Sequence, residues 1–241
     1  MLYLENNASE KASVEHRYAE NVPGPFYVDN QCLDCDVCRY FAPSNFTRQD
    51  DSGYSFVYKQ PENIEELLAC IEVLQACPCV AIGIDGGPLS EQFPEPDLIL
   101  FKELQKTPTS QAIIRYMDQS RDLNTAFRLA ARYNFFETLS QLLDLGADIN
   151  GQSASNGSTA LMYAVEHRNL EMVQFLIDHN ANVQLCNHIG DNVIDACPDW
   201  KNRAEIYQLL LTAGARPKKG SSTASPRTGG CCHHHPEEPA Q

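Results

Sequence analysis

Cys32-Leu33-Asp34-Cys35-Asp36-Val37-Cys38, answered far along the chain by Cys77-Pro78, decides how the first third of this sequence folds. Three thiols set three residues apart in one short loop can reach three corners of a compact metal centre without any regular helix. Pro78 has no amide donor and pushes the residue before it out of the helical region. The apolar run from Ile64 to Ala76 is therefore expected to be a helix that stops where Cys77 must turn toward the other three cysteines. Six of the ten cysteines, with Cys70 and Cys79 added to these four, lie in this region. Ten in 241 residues is well below the ~8–10% of a short secreted disulfide scaffold. Met1 to Asn21 holds no apolar stretch of the kind a signal peptide needs, so the thiols are expected to bind metal or stay reduced.

Cys-x2-Cys-x2-Cys with a remote Cys-Pro is the ligand run of bacterial-type iron–sulfur proteins, and the segment from Val22 to Asp85 resembles a bacterial-type ferredoxin. The resemblance rests on Tyr27-Val28-Asp29, the three-cysteine loop, Ala42-Pro43 with Phe46, and Cys77-Pro78-Cys79-Val80-Ala81-Ile82. In two-cluster members the first run continues to a further cysteine before a proline. Here that place is Ala42, with Pro43 kept, and no second three-cysteine run precedes Cys77. The resemblance thus implies a single [4Fe-4S] cluster held by Cys32, Cys35, Cys38 and Cys77, a cysteine rather than Asp at position 35 favouring four irons over three. The insertion Asp50 to Glu62 is typical of single-cluster forms, and Tyr54-Ser55-Phe56-Val57-Tyr58 alternates like a strand. Zinc is the competing occupant, although it prefers a tetrahedron built from two separated pairs. Cys70 is expected to be a small buried hydrophobe. Cys79 is expected to point away from Cys77 into the core, a swapped ligand being the alternative. Asp34 and Asp36 stand solvated or add to the thiolate charge, which would favour a low potential within the about −700 to +450 mV range of such clusters.

The Gly86-Gly87-Pro88 to Pro96 run punctuates the chain and is expected as a surface linker, residues 87–97. Beyond it, Gly146-Ala147-Asp148, Asn180-Ala181-Asn182 and Gly214-Ala215-Arg216 recur every 34 residues. Each follows an apolar stripe at helical spacing: Leu139, Leu142 and Leu143; Met172, Val173, Leu176 and Ile177; Ile206, Leu209 and Leu210. Thr159-Ala160-Leu161-Met162-Tyr163-Ala164 resembles the start of an ankyrin repeat, and the resemblance spans Leu123 to Pro217 as three units. Leu98 to Phe101 and Ala112 to Ile114, either side of Pro108, are expected to cap the array, since single units cannot bury their own apolar faces. The expected division is an N-terminal extension (1–21), a ferredoxin domain (22–86), the linker, a helical cap with three repeats (98–217) and a disordered tail (218–241) bearing Cys231-Cys232-His233-His234-His235. The fold class is α+β followed by an all-α ankyrin solenoid.

A net charge of −14 makes nucleic acid and anionic membranes poor partners, and no run of ~18 apolar residues occurs. Residues 1–97 carry 17 acidic and 5 basic side chains, so the charge is concentrated ahead of the array. No phosphate-binding glycine loop or nucleophile with partners is present, and the chain is expected not to be an enzyme. The expected function is that of a cytoplasmic, monomeric one-electron carrier. Its acidic domain would meet a basic redox protein such as an oxidoreductase, and its array would dock a protein partner around Gly151 to Gly157 and Cys186 to Asn192. The alternative is an interaction scaffold, or an iron or oxidant sensor, whose metal site is structural or regulatory.

Overall fold

The structure, a computed structural model, describes residues 12–195 and 204–217. Two short antiparallel ribbons and two helices form the N-terminal domain. Strand β1 (Tyr27–Val28) pairs with β4 (Ile82–Gly83), and β2 (Phe46–Gln49) pairs with β3 (Tyr54–Val57) in the register Phe46↔Val57 to Gln49↔Tyr54. The turn between the latter two closes at Gly53, whose φ of +70° suits glycine. Helix α1 (Val37–Phe41) packs on α2 (Ile64–Ala76), and the core between them and the ribbons holds Phe26, Val28, Phe46, Val57, Ile64, Leu67 and Leu68. Asn63 caps α2 by accepting the Glu66 N–H at 3.0 Å, and Cys77 ends it in an extended conformation before Pro78. The helix thus begins and stops as its flanking residues require.

The remaining helices are α3 (Glu95–Lys106), α4 (Ser110–Ser120), α5 (Leu123–Arg132), α6 (Phe136–Asp144), α7 (Ala160–Glu166), α8 (Leu170–Asp178) and α9 (Ala204–Thr212). The 34-residue period is visible in the backbone. Gly146, Asn180 and Gly214 each adopt a left-handed conformation after a second helix. The next residue closes the same bond each time: Ala147 N–H to Leu142 O, Ala181 to Leu176 and Ala215 to Leu210, all at 2.9 Å. This helix-ending motif needs a residue tolerant of positive φ followed by one that can face the helix, and the Gly/Asn-Ala signature supplies both. Leu139, Leu142, Met172, Val173, Leu176, Ile206 and Leu210 are buried between the stacked units. The cap is the pair α3 and α4, with Leu100, Leu104, Ala112 and Ile113 inward. The first helix expected for the third unit falls largely in residues 196–203, outside the described residues; so do Cys197 and the Cys231-Cys232-His233-His234-His235 tail. No helix among the described residues is long and apolar enough to cross a membrane.

Two expectations are corrected. The stretch 87–97 is not a free surface linker: Gln92 donates to Pro61 O at 2.7 Å, Phe93 is buried, and Glu95 already opens α3. The Gly151 to Gly157 hairpin is not an open docking site either, because the chain's own first domain occupies it. The Ser153 hydroxyl donates to Glu65 Oε2 at 2.7 Å and the Ser44 hydroxyl donates to Ser155 O at 3.2 Å.

At the centre of that contact lies an ion pair. Arg128 of α5 grips Glu65 of α2 with both arms of its fork, Nε to Oε1 at 2.6 Å and Nη2 to Oε2 at 3.0 Å. Its remaining donors reach Thr125 Oγ1 at 2.8 Å and Gly151 O at 3.3 Å. Both side chains are only 5% exposed. One helical turn on, Arg132 pairs with Glu72 and lies 5.7 Å above the Tyr163 ring. Glu65 and Glu72 are seven apart on α2, and Arg128 and Arg132 are four apart on α5, so one face of each helix carries the clasp. Burial disfavours the Arg128 charge, yet the hydrogen bonds and charge of Glu65 outweigh it and hold the guanidinium above its ordinary pKa. Removing one partner strands a buried charge, so Arg128→Leu is expected to lower stability by about 3–5 kcal/mol. The double variant Glu65→Leu with Arg128→Leu should recover most of that loss, as read by denaturant unfolding. Equal destabilisation of the two variants would show that the pair does not hold the domains.

Candidate functional site

The cysteine loop runs from the end of β1 into α1. Asp29, fully buried, donates its N–H to Ala81 O at 2.8 Å, and Cys32 N–H donates to Asp29 O at 3.2 Å. The start of the loop is thereby tied to the segment just past Cys79. Between the cysteines, Asp34 and Asp36 adopt φ of +53° and +66°, which winds the loop tightly. Neither is merely solvated and neither adds uncompensated charge. Asp34 is paired with Arg39 at 2.8 Å and Arg48 at 2.6 Å, and Asp36 also contacts Arg39. The two arginines had gone unassigned in the sequence, and they weaken the charge argument for a low potential.

Cys38 is carried on α1 and is 6% exposed, facing α2 beside the fully buried Cys70. Cys32, Cys35, Cys77 and Cys79 are half-buried. Cys32 Sγ accepts the Ser55 N–H at 3.4 Å. Burial pushes the Cys38 thiol up to about 12, and burial also raises Cys35 and Cys79, with the neighbouring thiols adding to the effect. These sulfurs lie near enough to feel one another's charge, Cys38 that of Cys32 and Cys35, and Cys35 that of Cys79 and Cys32.

Cys79 does not pack away from the site. Its Sγ lies 4.0 Å from that of Cys77. The expectation assumed an extended chain, in which alternate side chains diverge. Here Cys77-Pro78-Cys79-Val80 is a turn, closed by Val80 N–H to Cys77 O at 3.2 Å with Val80 at φ +53°, and both thiols emerge on the same side. Pro78, followed so soon by a second cysteine, was the signal for such a turn. Cys70 behaves as expected, fully buried with its thiol held well above the usual range by burial and by the charges of Glu66 and Cys38.

Among the described residues no three Cys, His, Asp or Glu side chains converge on a point where one metal ion would sit. One observation fits a sulfur-rich occupant. The Ser55 hydroxyl, 1% exposed, stands beside Cys38 and favours its thiolate, on the strand whose amide reaches Cys32. A donor in that position can serve a thiolate or sulfide.

Residues 28–84 match the family of 4Fe-4S single cluster domains of Ferredoxin I. Residues 100–187 and 127–221 match ankyrin repeats (3 copies). Among curated relatives, the ankyrin repeat protein FPV031 of Fowlpox virus (strain NVSL) is 36% identical over 98 residues, 41% of this chain and 29% of that protein. The B-cell lymphoma 3 protein homolog of Mus musculus is 36% identical over 91 residues, 38% of this chain and 20% of that protein. The chain therefore spans less than a third of the length of these relatives. The crystal structure of the ankyrin repeat domain of Bcl-3 aligns with a TM-score of 0.36 at 31% identity, covering 38% of this chain and 40% of that one. With a ferredoxin-type single-cluster domain ahead of stacked helix pairs that repeat every 34 residues, the chain belongs to the ankyrin-repeat family.

Proposed function

We propose that this chain is a one-electron carrier that holds a single [4Fe-4S] cluster on Cys32, Cys35, Cys38 and Cys77, with its ankyrin array docking a protein partner. The observation that carries the reading is the gathering of the loop cysteines and the end of α2 at one half-buried place inside a ferredoxin-type domain. The cluster would supply a one-electron couple. Cys32, Cys35, Cys38 and Cys77 would anchor it, each giving up its proton as it binds, and the Ser55 hydroxyl, beside Cys38, would donate to a sulfur nearby. Arg39 and Arg48 hold the Asp34 turn in the shape that spaces the ligands.

The rim of the site is suited to contact with another protein. Leu33, between the first two ligands, is 78% exposed, and Val80, next to Cys79, is 38% exposed. Apolar side chains at the rim exclude water from the path of an electron when a partner docks. Acidic residues elsewhere on the domain would steer a basic redox protein toward it. With the Gly151 to Gly157 hairpin engaged internally, docking would fall to the hairpin around Cys186 to Asn192, where Ile189 is 66% exposed at the tip.

The anaerobically purified protein is expected to contain about four irons and four acid-labile sulfides per chain. Cys35→Ser should lower both while leaving the helical content unchanged by circular dichroism. Stoichiometric zinc without sulfide would sink the proposal.

A sensor reading has its own support in the clasp, since the helix that ends at Cys77 is the one held by the array. If cluster occupancy is felt by the repeats, stripping the metal with a chelator should speed amide hydrogen exchange in both Ile64–Ala76 and Leu123–Arg132. Faster exchange confined to the cysteine loop would remove this second reading.

A further inference from the structure

The candidate site holds five cysteines where a [4Fe-4S] cluster takes four. Cys79 and Cys77 are the redundant pair. Their sulfurs lie 4.0 Å apart on one side of the same turn, and both are half-buried. Pro78, between them, fixes one backbone angle, and the Val80 N–H to Cys77 O bond closes the turn. The backbone therefore holds both thiols toward the loop rather than presenting one and hiding the other.

Cys79 also faces the other ligands. The Leu33 N–H, inside the three-cysteine loop, lies near its sulfur. Cys79 lies near enough for its charge to be felt by Cys35, and the charge of Cys32 reaches Cys79. A cysteine that served only as core filler would be fully buried, as Cys70 is at 0% exposure, whereas Cys79 is half-buried.

We propose that Cys79 is an interchangeable fourth ligand: either Cys77 or Cys79 can hold the iron at the α2 end of the site. This rests on the cluster reading above. The exchange is neutral in protons and electrons. As Cys79 gains a bond to iron it loses its proton, and as Cys77 loses its bond it takes one up, with no change in oxidation state. The turn presents both sulfurs within a few ångströms of one position, so the exchange asks for rotation of two side chains and not for refolding. The outcome is a ligand set that survives modification of either thiol of the pair, and a route by which the bond can open on one side while the site stays loaded.

The test uses full-length wild type, Cys77→Ser, Cys79→Ser and the double variant, each purified anaerobically, with iron and sulfide per chain as the readout. Cys77→Ser and Cys79→Ser should each retain the wild-type content, and the double variant should lose a quarter or more of its iron. A Cys77→Ser protein already as depleted as the double variant would overturn the proposal. Should that variant fail to fold, wild type answers the question: anaerobic alkylation of the loaded protein with iodoacetamide, followed by mass spectrometry, should place label on both Cys77 and Cys79. Label on Cys79 alone would mean that Cys77 is the fixed ligand. Wild type without iron or sulfide would instead remove the cluster reading itself, and this proposal with it.

Discussion

The bidentate pair between Glu65 and Arg128 sets the relation between the two halves of the molecule. Two opposite charges at 5% exposure are tolerable only because each is paired and hydrogen-bonded, and Thr125, Gly151 and Ser153 complete the bonding. Such an arrangement specifies orientation more than it adds stability, since a planar fork meets a carboxylate in few ways. With Arg132 and Glu72 one turn along, it fixes both the contact and the rotation of α2 against α5. The result is a chain whose first domain is seated on its repeats and not tethered to them.

That seating bears directly on the cysteine site. Helix α2 begins at the Asn63 cap, passes Glu65 and Glu72 along its array-facing side, and ends at Cys77. The opposite end of the site is hung from β1 through Asp29 and from β3 through Ser55. The thiols are thus brought together from two sources. Three belong to the loop and the start of α1, tied to the ribbons, and the remaining pair belongs to the turn that follows a helix tied to the repeats. A disturbance of the array would reach the cysteine site through α2 and through Ser44, just past α1.

Much of this was legible in the sequence because the signals were local. The Cys-x2-Cys-x2-Cys loop, the end of α2 at Cys77-Pro78, the strand at Tyr54 and the 34-residue recurrence of Gly/Asn-Ala each follow from a few neighbouring residues and one backbone rule. What was missed depended on tertiary placement. Glu65 and Arg128 lie 63 residues apart, and each alone reads as a charge on an amphipathic helix. The Gly-Pro run looked like a linker, but Phe93 and Gln92 give it a packed partner that composition does not reveal. Asp34 and Asp36 looked like bare charges because Arg48 comes from strand β2, on the other side of α1 in the chain. Cys79 was misplaced for a different reason: alternation was assumed where Pro78 and the left-handed Val80 make a turn.

The account stands or falls on whether the gathered thiols hold a redox-active cluster. An EPR-monitored redox titration of the anaerobically purified full chain tests this most directly. It should show a paramagnetic signal that appears only on reduction, integrates to about one spin per chain and follows a single reversible one-electron step, as expected of one [4Fe-4S] centre. A protein that stays silent at every potential, or that yields a signal only with irreversible loss of iron, would contradict it.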